Sequence, residues 1–137
     1  MLGLFKTKKK LTKPKILVVD DEPDLRSTVE YRLKFANCDV VSASNGHEGL
    51  AQAVAEMPDL ILLDTNMPEM NGHQMLKQLR STAETKHIPV IMVTAISEAQ
   101  DIAAASQYGI SDYVTKPFNF AELMEKVQIA LNIQPDD

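Results

Sequence analysis

The chain has no tryptophan and a single cysteine, Cys38, in 137 residues. A disulfide framework within the chain is excluded, so the fold has to rest on its apolar core. Apolar residues make up 45% of the sequence, enough to close one such core, and one domain is expected. No run approaches the roughly 20 apolar residues that span a bilayer, so no membrane span is expected. A secretory signal is lacking too, because the apolar start Met1–Phe5 is followed by lysines instead of preceded by them. A soluble protein of a reducing compartment, the cytoplasm, is the expectation. Histidine is scarce, and His47, His73 and His87 share no metal-ligand spacing; they read as surface residues.

The net charge of −5 conceals an uneven distribution. Lys6, Lys8, Lys9, Lys10, Lys13 and Lys15 place six positive charges in the first fifteen residues, which leaves eight basic against 19 acidic residues and a charge of −11 on the remainder. Residues 1–13 read as a basic, flexible leader, with anionic lipid or an acidic partner as the alternative use of clustered lysines. An acidic body without a basic stripe neutralises phosphates poorly, so nucleic-acid binding by this chain alone is not expected.

What the chain does have is a repeated pattern: a short run of branched apolar residues that ends in an oxygen-bearing side chain. Ile16-Leu17-Val18-Val19 ends at Asp20-Asp21, Leu60-Ile61-Leu62-Leu63 at Asp64, and Val90-Ile91-Met92-Val93 at Thr94. Continuous apolar runs of this length predict strands buried on both faces, as in a parallel sheet covered by helices. Tyr113-Val114 before Thr115-Lys116-Pro117 is a shorter strand of the same kind, and the mixed segment Asp39–Ala43 suits a sheet edge.

Helical patterns fill every gap, as parallel neighbours require. Leu25, Val29 and Leu33 recur at four-residue steps after Pro23, Leu50 and Val54 form a shorter stripe stopped by Pro58, and Met75, Leu76 and Leu79 follow Gly72. Ser97 with Gln100 and Asn119 with Glu122 have capping-box spacing for a fourth and a fifth helix, the fifth carrying Leu123, Val127, Ala130 and Leu131 on one face. The fourth offers Ile102 as its only large aliphatic residue. Met67, Met70 and Met75 read as loop and core filling. Five βα units with right-handed crossovers give an α/β fold, a doubly wound five-stranded parallel sheet with five helices.

In such sheets ligands bind outside the carboxyl ends of the strands. That rule gathers Asp20, Asp21, Asp64, Thr94 and Lys116 at one end of the fold. Three carboxylates in one crevice repel each other and need a cation, and an all-oxygen donor set points to Mg²⁺, or Mn²⁺ in its place. Lys116 supplies a second positive charge and the Thr94 hydroxyl a hydrogen-bond donor. A metal, a lysine and a hydroxyl around a carboxylate suit phosphoryl transfer, with Asp64 as nucleophile. Any one of these residues alone could be a helix cap or a surface charge; the functional reading rests on their convergence.

At these residues the sequence resembles the response-regulator receiver family, over roughly residues 14 to 133, with 134–137 as a C-terminal tail. Asp20-Asp21, Asp64-x-x-Met67-Pro68-x-x-Asn71-Gly72, Thr94-Ala95 and Lys116-Pro117-Phe118 stand in family order, at intervals of 43 residues from Asp21 to Asp64, 30 to Thr94 and 22 to Lys116. The resemblance implies a flavodoxin-like sheet of order 2-1-3-4-5. It also implies that Asp64 is the phospho-acceptor, that Asp21 and Asp64 ligate Mg²⁺ directly with the Asn66 backbone carbonyl, and that Asp20 acts largely through water. Lys116-Pro117 is then a cis peptide, and Tyr113 falls at the family's switch aromatic, paired with Thr94. The implied donor is a sensor histidine kinase or a histidine phosphotransfer domain; the downstream protein is unknown. Thr65, polar beside the acceptor, and Ile110 after Gly109 depart from the commoner pattern, and Asn66 and Ile96 occupy positions that tune phosphate lifetime in the family.

Four other readings compete. A module that keeps the fold but has lost phosphorylation conflicts with the intact site residues. An aspartyl-phosphate hydrolase would want an aspartate two residues beyond a nucleophile on the first strand, where this chain has Glu22 and Pro23. A flavin carrier would need a Ser/Thr/Gly-rich phosphate loop there. A phospho-donor box at His47-Glu48 lacks the long helices and nucleotide-binding domain of a kinase. The chain stops soon after the fifth helix, so the expectation is either a stand-alone switch, not an enzyme in the metabolic sense, or a piece cut from something longer, and the starting Met1 and polar finish at Asp136-Asp137 lean towards the former.

Overall fold

Residues 13–95 and 102–131 are described by the computed structural model. Five strands, β1 Lys15–Val19, β2 Asp39–Ala43, β3 Leu60–Asp64, β4 Val90–Ala95 and β5 Asp112–Lys116, pair in parallel in the order β2-β1-β3-β4-β5. This is the flavodoxin-like arrangement, with Asp39–Ala43 on one edge of the sheet as its mixed composition suggests. The basic leader, apart from Lys13, and the tail 134–137 lie outside the described residues, as do Ile96 and the Ser97–Gln100 capping pair.

The pleat divides each strand between two cores. Leu17, Val19, Ile61, Leu63, Val90 and Met92 face one side of the sheet, and Ile16, Val18, Leu60, Leu62, Ile91, Val93 and Val114 the other. Helices α2 Gly46–Glu56 and α3 Gly72–Ser81 and the short α4 Ile102–Ser106 cover the first through Ala53, Met75, Leu76, Leu79, Ile102 and Ala105. Helices α1 Pro23–Phe35 and α5 Phe120–Ala130 cover the second through Val29, Leu33, Leu123 and Val127, with Leu131 just beyond. Because both faces are covered, the strands need no polar alternation, which is why they read as unbroken apolar runs.

Four of these helices have ten residues or more; where a full fourth helix was expected, the described residues hold only the five-residue α4. The apolar stripe of α2 also differs from the Leu50–Val54 reading. Val54 is exposed, and the helix seats itself through Gly49, Ala53 and the partly buried Leu50. A Cβ at Gly49 would meet the far end of the Met75 side chain, which would have to shift to admit it. Asn119 caps α5 by accepting from the Ala121 and Glu122 amides, while a complete reciprocal capping box forms at Asn71 and Gln74, opening α3.

Two contacts fix the ends of α3. Gly72 donates its amide to the Thr65 carbonyl at 3.0 Å, and a Cβ there would overlap the Asp64 carbonyl oxygen, so the helix can close onto the end of β3 only with glycine. At the other end, Arg80 donates to the carbonyls of Tyr108 at 2.7 Å, Gly109 at 3.0 Å and Lys86 at 3.2 Å. The guanidinium fork thereby ties α3 to the loop that enters β5.

Candidate functional site

Strand register decides what meets at the carboxyl edge of the sheet. Val19 is level with Leu63, Asp64 with Val93, and Ala95 with Lys116. Asp20 and Asp21 therefore leave β1 beside the last residue of β3, Asp64, while Thr94 is the penultimate residue of β4 and Lys116 the last of β5. Carboxylate oxygens of Asp20, Asp21 and Asp64 all lie within 4.8 Å of one another. The Lys116 ammonium stands 3.4 Å from both Asp20 Oδ2 and Asp64 Oδ1. Sequence residues up to ninety-six positions apart are thus drawn into one cluster.

The electrostatics follow from this crowding. Asp64 is only 3% exposed, and burial first, then the Asp20 charge, pushes its carboxyl up to about 7 against the pull of Lys116 and the Asn66 amide. Burial also raises Asp20, although the Glu22 amide donates to its Oδ1 at 2.9 Å. Burial works against the Lys116 ammonium, yet Glu22, Asp64 and Asp20 together raise its pKa above the ordinary lysine value. One lysine does not offset three clustered acids. The three carboxylates fit a hard divalent cation by donor chemistry: all are oxygen donors, close enough to share one ion, and a buried Asp64 gains most from the added positive charge.

The remaining predicted residues are placed with less convergence. Asn66 donates its amide to Asp64 Oδ1 at 3.2 Å. Thr94 is fully buried, and its hydroxyl donates to the Ala95 carbonyl at 3.2 Å. Tyr113 is 37% exposed, with the Lys126 ammonium 5.4 Å from its ring centroid and donating to its carbonyl at 2.6 Å. The Lys116–Pro117 peptide is cis. His47 and His87 are exposed and His73 partly so, away from the cluster; Met67 and Met75 are core residues.

Glu22 is the site residue that sequence reading passed over. Its carboxylate lies 2.9 Å from the Lys116 ammonium, closer than either aspartate. Arg26 also reaches the site, donating to the Asp20 carbonyl at 2.7 Å. An acid directly after an acidic pair at a strand end was the only available signal for Glu22.

The fold and the site together define a doubly wound α/β protein with three acids and a lysine at the carboxyl edge of its sheet, and comparison with known proteins gives its family. Residues 16–128 match the response regulator receiver domain, and the chain belongs to that family. It is therefore a receiver domain of a two-component response regulator, a signalling switch and not a classical enzyme. It is 39% identical over 118 residues to the DNA-binding dual master transcriptional regulator RpaA of Synechocystis sp., covering 86% of this chain and 49% of that protein. It is 40% identical over 117 residues to the alkaline phosphatase synthesis transcriptional regulatory protein PhoP of Bacillus subtilis, covering 85% of this chain and 48% of the relative. The chain spans about half the length of these curated relatives. Among solved structures it resembles the chemotaxis protein CheY4 of Vibrio cholerae, with a TM-score of 0.82 and 31% identity over 87% of this chain and 99% of that one. Among the described residues, no helix is long and apolar enough to cross a membrane.

Proposed function

We propose that this receiver, spanning residues 14–133, accepts a phosphoryl group on Asp64 from a phosphohistidine of a sensor histidine kinase or histidine phosphotransfer domain in the cytoplasm. One observation carries the reading: a buried carboxylate at the end of a central strand shares its site with two further acids and lies 3.4 Å from a lysine. Asp20, Asp21, Asp64 and the Asn66 backbone carbonyl would hold Mg²⁺, or Mn²⁺ in its place. When bound, the metal neutralises the acidic cluster and lowers the repulsion that an incoming phosphoryl group meets.

Asp64 Oδ attacks phosphorus, the O–P bond forms as the P–N bond of the donor breaks, and the electron pair leaves on the imidazole nitrogen. Lys116 balances charge on the phosphoryl oxygens, and the Thr94 hydroxyl turns from the Ala95 carbonyl to donate to one of them. That movement vacates space for the Tyr113 ring and biases the α4–β5–α5 surface towards a partner-binding form. The downstream partner is a protein. The acidic body makes nucleic-acid binding a property of some other chain or domain, in keeping with the greater length of the DNA-binding relative, of which the match covers 49%.

Incubation with acetyl phosphate and Mg²⁺, followed by intact-mass measurement, tests the assignment. Wild type should gain one phosphoryl group and Asp64→Asn none. Equal labelling of the two would remove Asp64 from the role.

A further inference from the structure

The Lys116 ammonium carries three N–H donors and has three carboxylates around it, at 2.9 Å for Glu22 and 3.4 Å for both Asp20 and Asp64. Its shortest contact is to the residue outside the carboxylate cluster. Glu22 is held at the mouth of that cluster by its own amide, which donates to Asp20 Oδ1 at 2.9 Å, so its approach to Lys116 is fixed by the backbone as well as by charge. The Glu22 side chain is 60% exposed, against 20% for Lys116 and 3% for Asp64.

We infer that Glu22 is a positioning residue that parks Lys116, competing with the phosphoryl group for the ammonium and restraining the loading of Asp64. The inference rests on the phospho-acceptor reading above. Lys116 donates to Glu22 at 2.9 Å and to Asp64 at 3.4 Å, with Asp20 also 3.4 Å away, so a phosphoryl oxygen on Asp64 competes with these acids for the ammonium. Glu22 is the one to yield, because water resolvates its exposed carboxylate while Asp20 and Asp64 stay buried. Glu22 thus withdraws from the phosphoryl group a donor that Lys116 would otherwise offer it. Lys116 is thereby held ready but partly neutralised until the phosphoryl group arrives.

Removing the Glu22 charge should speed loading, and only by way of Lys116. With acetyl phosphate the O–P bond to Asp64 forms as the P–O bond to acetate breaks and the pair leaves on acetate, so the rate is read directly as mass gained with time. We would compare wild type, Glu22→Gln, Lys116→Gln and the double variant in Mg²⁺, with Glu22→Ala as a second probe of position 22 and thermal melts to show that each is folded. Glu22→Gln should load about two to five times faster than wild type, the range an exposed ion pair can supply. In the Lys116→Gln background the same change should have no effect, a non-additivity that a structural role of Glu22 would not produce. An unchanged or slower rate in Glu22→Gln and Glu22→Ala, or an equal gain in the Lys116→Gln background, would overturn the inference while leaving Asp64 as acceptor. Wild type that takes up no phosphoryl group on Asp64 would overturn the acceptor reading and this inference with it.

Discussion

Between about pH 4 and pH 7 the folded chain holds a proton on Asp64 that the unfolded chain, with a carboxyl near 3.9, has already released. Without metal, wild type should therefore lose stability as pH rises through that window and level off above 7. At about 1.4 kcal/mol per pH unit the cost is bounded at about 4 kcal/mol. Asp64→Asn removes it, so the metal-free variant should match wild type near pH 4 and melt higher above pH 7; urea melts in EDTA across this range check the difference, and a wild type that gains on the variant with rising pH would refute it. Most of the cluster was legible from residues, because Asp20, Asp21, Asp64 and Lys116 each stand where an apolar run ends. Glu22 was not, since its contact with Lys116 spans ninety-four positions and depends on the path of the chain after β1. Thr94 and Tyr113 were legible as positions but not as geometry, because a hydroxyl's partner and a ring's exposure depend on packing that periodicity does not encode.

Among the described residues of α4, Ile102 and Ala105 are buried, with Tyr108 packed beyond its end. Small apolar area gives small burial energy, at roughly 25 cal/mol per Å². Arg80 compensates from outside the element by holding the Tyr108 and Gly109 carbonyls. Arg80→Ala should cost about 1–3 kcal/mol and, more tellingly, raise amide exchange over residues 105–111 while β1 and β3 keep their protection. Uniform loss of protection would mean that Arg80 supports the whole fold and not this junction. The strands were readable because burial on both faces leaves a simple apolar signature. The details of α2 and α4 were not, as a Val54 in phase with Leu50 can still point to solvent when glycine and alanine bring the helix close to its neighbour. Arg80 had no sequence signal at all, since its three acceptors are backbone carbonyls.

For the whole molecule, the proposed metal site would link metal binding to folding, because a cation held by Asp20, Asp21 and Asp64 would bind the folded chain and not the unfolded one. Mg²⁺ at about a hundred times its dissociation constant should stabilise wild type by about 2.7 kcal/mol. Asp21→Asn should lose most of that gain yet melt higher than wild type in EDTA, one repelling carboxylate having been removed. Melts of both proteins with and without Mg²⁺ check this, and a variant that is weaker in EDTA with an undiminished response to Mg²⁺ would contradict it. The sheet order has a further consequence for reach. Asp64 and Lys116 end strands that are not neighbours, since β4 runs between β3 and β5. Two strand spacings amount to about 9.6 Å, yet the charged atoms approach to 3.4 Å. The intervening strand acts as a gauge: it admits only a cation on a long, unbranched arm that can bridge over a strand end, and it requires that end to be finished in residues as slight as Thr94 and Ala95.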